Sequence, residues 1–357
     1  MGEQDYPTLL LSRSLAERWP NIEGARQLAR ETLLQLKNEF RDFDSEDTSV
    51  VVLGSLAREE FTSESDIDWN LLVDGIADPN HHELLLSAQQ RIRRVAKDPG
   101  REGTFGRLVS SHDLIHRIGG EDDTNANLTR RLLLVLESAP VGRSMAHGRV
   151  VKNILKRYLL EDRSYWKGTS ERHHIPHFLL NDFARLWRTM AVDFAYKLRA
   201  RGGEGWALRN IKLRMSRKLL YVAGLLGCFR CHTDFFDNPL DRDAIFRDEN
   251  VRTEAFEAVS TIFSHTPLDI LASYLSAQEH LHCTTLRLFG AYDEFLGILR
   301  DPEKREHLEE LPETEADADA TYRQARDISH RFRDALLELF FDDKTELATL
   351  TRLYGVF

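Results

Sequence analysis

An α+β fold, with a mixed sheet near the N-terminus and a helical remainder, follows from three observations on the 357-residue chain. Val50-Val51-Val52-Leu53 is a β-branched run that stops abruptly at Gly54-Ser55. A second strand-like run opens at Asp66-Ile67-Asp68 and carries on to Val73. From Val150 onward apolar residues recur almost entirely at helical spacing.

Residues 8 to 43 read as helical, with Leu28, Leu33, Leu34, Leu36 and Phe40 at helical intervals and Pro20-Asn21 separating two helices. This segment is expected to pack on the back of the sheet. The acidic stretch from Asp42 to Asp47 is a solvated turn into the first strand. After the second strand, Asp78-Pro79-Asn80 breaks the chain, and His82 to Lys97 forms a helix that buries Leu84, Leu85, Ile92 and Val95. Adjacent His81 and His82 diverge around a helix start and make no ligand pair. Asp98-Pro99-Gly100 then turns into a third strand, Thr104 to Ser110. A loop, 119 to 125, leads to a helix over 127 to 138 with Arg130 and Arg131 in its first turns. Pro140-Val141-Gly142 marks an expected boundary between a domain of residues 1–142 and a helical domain of 143–357.

The helical part begins with Val151 to Leu160, and residues 167 to 176 make a polar loop. The segment from His177 to Ala200 carries Asp182, Arg185, Thr189 and Asp193 on one stripe of an otherwise apolar helix. Buried charge needs partners, so the stripe faces a neighbouring helix or a ligand. Trp206 to Leu226 resumes helical spacing, with Asn210, Arg214, Arg217 and Tyr221 on one face and Lys218 four residues beyond Arg214. Residues 234 to 250 are loop-rich, Pro302 to Ala318 is an acidic linker or helix end, and His330 to Leu350 closes the chain with helices.

Bulk properties narrow the partners. A net charge of −10 disfavours a long duplex nucleic acid, which is normally gripped by an excess of Lys and Arg. A tRNA end, a small molecule or a protein survive that test. No apolar run reaches bilayer length and no signal-peptide pattern opens the chain, so a cytoplasmic protein without membrane partners is expected. Cys228-Phe-Arg-Cys231-His232 has metal-like spacing, but no second paired motif completes a tetrahedral site, and packing cysteines are the better reading.

The chemistry concentrates between residues 49 and 74. Side chains alternate along a strand, so Asp66 and Asp68 share one face while Ile67 points into a core with Leu71 and Val73. Two carboxylates held side by side repel unless they share a cation, and such hard oxygen ligands suit magnesium or manganese. Gly54 lets backbone approach a phosphate, and Ser55 adds a hydroxyl beside the amides of the turn. Either half alone fits an ordinary turn or a solvated strand edge. Together they describe a site for a nucleoside triphosphate bridged to metal.

The run from Gly54 through Asp68 resembles the signature of the DNA polymerase β-like nucleotidyltransferase superfamily, and with Arg58, Glu60 and Ser65 it is similar to that of the PII-protein uridylyltransferases. Glu59 departs from that branch, which usually has glycine after the arginine. The resemblance implies metal binding by Asp66 and Asp68, nucleotide binding by Gly54, Ser55, Arg58 and Ser65, and a helical domain that lends Arg214, Arg217 or Lys218 to the triphosphate. It also implies a third carboxylate on a neighbouring strand. None lies within 104 to 110, so Asp113 is the candidate catalytic residue, with Glu102 as runner-up and His112 as an assisting base. The acceptor implied is a protein; an RNA end, a small molecule, second-messenger synthesis or a non-catalytic nucleotide-sensing module are the alternatives.

Overall fold

In the computed structural model, residues 5–43, 45–95, 104–161, 174–200, 202–234, 249–342 and 345–355 are described. Glu102, most of the polar loop from 167 and the stretch 235–248 lie outside them. The fold is α+β. Helices α1 (Pro7–Leu15) and α2 (Pro20–Glu39) each begin on a proline, whose fixed φ and missing N–H suit a first helical turn. They are followed by β1 (Thr48–Leu53), the short α3 (Gly54–Ala57), β2 (Asp68–Val73) and α4 (Asn80–Ile92). Next come β3 (Arg107–Ser110), α5 (Ser111–Ile115), α6 (Asn125–Leu136), β4 (Ser138–Pro140) and α7 (Met145–Leu159). The rest is helical.

The four strands form one mixed sheet in the order β3-β2-β1-β4. β1 is antiparallel to β2 and β4, with Leu53 opposite both Asp68 and Ser138. β3 is parallel to β2, with Arg107 opposite Asn70 and Ser110 opposite Val73. One face of this sheet buries Val50, Val52, Ile67, Trp69 and Leu71 against Ala29 and Leu36 of α2, Phe40 just past its end, and Ala88 and Ile92 of α4. Of residues 8 to 43, the part from Leu28 to Phe43 backs the sheet as the spacing indicates, whereas α1 packs on the helix Pro267–Leu275, with the Thr8 amide and hydroxyl donating to Asp269, and belongs to the other unit. The opposite face carries Asp68 and Asn70.

Three boundaries differ from the sequence reading. The third strand starts at Arg107, because Gly106 takes a left-handed φ of 69° just before it and donates from its amide to the Trp69 carbonyl. Ser138 to Pro140, read as helix end and break, is an edge strand on β1, where proline is tolerated because its missing N–H interrupts no inner ladder. The acidic stretch after Pro302 is helical over Pro302–Glu310, held by Asp301, whose carboxylate accepts from the amides of Glu303 and Lys304 at 3.1 Å.

By contacts the chain divides into two compact units. One comprises residues 1–25, 183–230 and 267–357; the other comprises 26–182 and 231–266 and contains the whole sheet. Each unit thus draws on chain from both sides of position 142. In the sheet unit, Arg131 of α6 is wholly buried. Its guanidinium donates to Asp123 at 2.9 and 3.0 Å, to Asp182 at 3.1 Å and to the Tyr158 hydroxyl at 2.8 Å. Asp182 of the polar stripe is thereby accounted for as a structural partner. Beside the β4 edge a cavity of about 300 Å³ is lined by Ala57, Leu136, Ser138, His147, Val151 and Phe263. Ser138 Oγ and His147 Nε2 lie 2.7 Å apart there, and burial lowers the imidazole pKa to about 4.

In the other unit, the helix Trp206–Lys212 widens into a π-helical turn at Leu213–Arg217 before Lys218 opens the next α-helix. Arg214 Nε donates to Asn210 Oδ1 at 2.7 Å. Burial, reinforced by Arg214 and Arg333, lowers the Lys218 pKa. Among the described residues no helix is long and apolar enough to cross a membrane.

Candidate active site

The site is built where β1 ends. Its last residue, Leu53, is paired with Asp68, so the chain must leave the strand directly beside that carboxylate. Gly54 does so with φ +68°, and a β-carbon on it would lie 2.9 Å from Asp68 Oδ2. Only glycine meets both the left-handed backbone and the lack of space. Ser55, half-buried, follows in the first turn of α3, and its carbonyl accepts from the Glu60 amide at 2.8 Å.

Burial alternates through the acidic run as a strand face requires. Asp66 is exposed, Ile67 is buried in the core cluster, Asp68 is half-buried and Trp69 is buried in the same cluster. Asp66 and Asp68 therefore share the face opposite that core, although the regular strand begins only at Asp68. Asn70 continues the series on the same face; its Oδ1 accepts from the Arg107 amide at 3.3 Å.

Arg58 and Ser65, read as nucleotide contacts, stand in the framework. Arg58 is 6% exposed, its Nε donates to Glu60 at 2.8 Å, and Nη1 is held by the Glu137 carboxylate. Ser65 is buried, with its hydroxyl 2.9 Å from that of Thr62 across the turn that delivers the chain to Asp66. Glu59 has φ +58°, which is the physical reason glycine suits this position; here the side chain is used instead, ion-paired with Arg26 of α2 at 3.0 Å and accepting from Arg30 Nε at 3.0 Å.

Asp113 is not brought to the aspartate pair. Ser110 is level with Val73, five residues along β2 from Asp68, and Asp113 lies beyond it in α5, ion-paired with Arg117 at 3.1 Å. His112 stacks its ring near that of His116, 5.0 Å away. β3 itself carries no acid. At the register of Asn70 it presents Arg107, which is exposed. Arg130 of α6 reaches the same edge, its Nε donating to the Thr104 carbonyl at 3.3 Å, and its pKa is lowered by burial and then by Arg107, against an opposing pull from Asp113. The sequence marks Arg130 only as one of a pair in a helix, as fit for a solvated as for a functional role, and Arg107 goes unmarked in the third-strand segment, where the search was for an acid. Arg214, Arg217 and Lys218 belong to the other unit.

Among the described residues no group of three His, Cys, Asp or Glu side chains forms a ready metal cage. The donor set that is present, two carboxylates on one face beside a turn with no side chain, suits a cation that keeps water and phosphate oxygens as its other ligands.

The family model described as nucleotidyltransferase domain matches residues 33–89. That span runs from the middle of α2 through β1, the Gly54 turn, both aspartates and β2 into α4. Searches of curated proteins and of solved structures returned no match.

Proposed function

We propose that the chain is a metal-dependent nucleotidyltransferase that moves a nucleoside monophosphate from a nucleoside triphosphate to an acceptor hydroxyl, with release of pyrophosphate. The observation that carries this reading is the packing of Gly54 against Asp68, with Asp66 on the same face, inside the segment that matches the domain model. Asp66 and Asp68 are the groups that would hold magnesium or manganese, which when bound neutralises charge on the transferring phosphoryl group. The open backbone at Gly54 and the Ser55 hydroxyl would hold the outer phosphates. Arg58, fixed by Glu60 and Glu137, keeps the turn in place from below. Catalysis of this kind rests on positioning and charge stabilisation, so either aspartate should be indispensable.

The test is incubation with each α-labelled nucleoside triphosphate, magnesium or manganese, and cell lysate, beside an Asp66→Ala/Asp68→Ala protein. Label carried to an acceptor by the wild type alone establishes transfer. A second reading, a nucleotide-sensing module without chemistry, is favoured by the lack of an acid on β3. Metal-dependent nucleotide binding with no release of pyrophosphate would establish it instead.

A further inference from the structure

We propose that the cavity beside β4 binds a small amine, a ligand with N–H donors on a compact apolar body; the proposal stands whether or not the transferase reading does. The residues that line the cavity all belong to the unit that contains the sheet. At about 300 Å³ it has the size of a small-molecule pocket at the lower end of the usual range. Leu136, Val151 and Phe263 supply apolar surface for a hydrocarbon ring or chain to cover.

The polar part of the wall selects the ligand through where its protons go. Ser138 Oγ lies 2.7 Å from the Leu134 carbonyl and 2.7 Å from His147 Nε2. A carbonyl only accepts, so the single hydroxyl proton goes to Leu134, and Nε2–H donates to Oγ. The pair is therefore no nucleophile with its base, because the serine proton is committed to backbone and the imidazole keeps its own. This tautomer leaves a lone pair on Nδ1, which has no protein partner among the described residues. Burial keeps the ring neutral, with a pKa of about 4, so that lone pair accepts at neutral pH.

The same pattern recurs across the cavity. Ser260 donates to the Phe256 carbonyl at 2.8 Å and Ser264 to that of Thr261 at 2.7 Å. His265 Nδ1, 2.9 Å from the Thr261 carbonyl, carries a proton in its turn, which leaves Nε2 of the neutral ring to accept. At the exposed rim Lys152 gives its ammonium to Glu257 Oε1 at 2.5 Å, and Glu257 Oε2 has no partner among the described residues. Hydroxyls and imidazoles with committed protons offer lone pairs to whatever enters. A ligand of acceptors alone would face those lone pairs unsatisfied, whereas N–H donors match them, and a cationic amine also answers the carboxylate through a charge-assisted bond.

The test uses the full chain and probes of one shape: cyclohexylamine; methoxycyclohexane, which can only accept; and N,N,N-trimethylcyclohexylammonium, which has the charge but no N–H. Protein-observed NMR titration gives the affinities, and the nitrogen chemical shifts of the His147 ring give its tautomer. The expected result is a free ring protonated at Nε2 and bare at Nδ1, with an Nδ1 resonance that moves when cyclohexylamine is added. The amine should bind about tenfold or more tighter than either control, since hydrogen bonds involving a charge are the stronger ones. His147→Leu keeps an apolar body and should weaken the amine about tenfold while leaving methoxycyclohexane unchanged. Should that variant not fold, the ring shifts of the wild type decide the matter. A free ring protonated at Nδ1, equal affinity for the amine and the ether, or undiminished amine affinity in His147→Leu would overturn the proposal. The Asp66→Asn/Asp68→Asn protein should bind the amine as the wild type does; loss of binding there would put the amine at the aspartates and overturn it as well.

Discussion

Gly54 and Asp68 are fitted to each other: the place a β-carbon of residue 54 would take is 2.9 Å from Asp68 Oδ2. Leu53 pairs with Asp68 in the ladder, and the left-handed φ at Gly54 turns the chain away from the carboxylate at the next residue. Gly54→Ala must therefore move the carboxylate or the turn and also pay the left-handed penalty of about 1–2 kcal/mol. The expected outcome is loss of transfer by at least ~10²-fold, because a displaced ligand is costly to in-line chemistry, with a modest fall in melting temperature. Melting and transfer measured together check it. Wild-type transfer in Gly54→Ala would show that the close approach has no part in the site.

Glu59 sets backbone strain against ion pairing. Its φ of +58° is one that glycine adopts without penalty, yet its carboxylate joins Arg26, which is almost fully buried, and Arg30. Glu59→Ala keeps the strain and loses both bonds, so a destabilisation of about 2–3 kcal/mol is expected. Glu59→Gly loses the same bonds but relieves the backbone, and should be about 1 kcal/mol more stable than Glu59→Ala. Urea denaturation of the two variants gives the order directly. An alanine variant as stable as the glycine one would mean that the left-handed backbone costs nothing here.

The parts of this site that could be read in the sequence are those governed by local rules. The Val50 to Leu53 run, the Gly54 turn and the alternation of Asp66, Ile67, Asp68 and Trp69 are set by strand period and by glycine's lack of a side chain, and each stands in the structure. What was not legible depends on partners distant in the chain. Arg58 looks like a nucleotide contact beside Ser55, but Glu137, seventy-nine residues later, holds it inside. Arg131 follows Arg130 in a helix, and only the tertiary fold makes one wholly buried and the other half-exposed. β4 is three residues long and ends in proline, too short for any period to show.

The buried Arg131 cluster should behave as one unit. Burial alone would lower the guanidinium pKa, but the bonds it donates to Asp123 together with the charges of Tyr158, Asp123 and Asp182 outweigh burial and raise the value above its ordinary level, so the arginine stays charged. Arg131→Met leaves Asp123 and Asp182 facing a missing cation, and a loss of about 3–5 kcal/mol is expected. Adding Asp123→Leu should recover part of that loss, because the stranded charge is removed with its partner. Strictly additive losses in a double-mutant cycle would contradict the shared network.

His147 supplies a pH dependence whose sign is fixed by its surroundings. Burial lowers its pKa to about 4, whereas the unfolded chain titrates near 6.5, so the unfolded state binds the proton first as pH falls. The neutral imidazole, 2.7 Å from Ser138 Oγ, thus contributes stability that is full above about pH 6.5 and is lost progressively down to about pH 4. The ring is partly exposed to the β4 cavity, so screening limits the effect to about 1–2 kcal/mol. Melting temperatures between pH 7.5 and 4 should therefore fall more steeply for the wild type than for His147→Gln, which has no group to protonate. Parallel curves for the two proteins would place the acid sensitivity elsewhere, and a wild type that gained stability on acidification through this range would reverse the sign argued here.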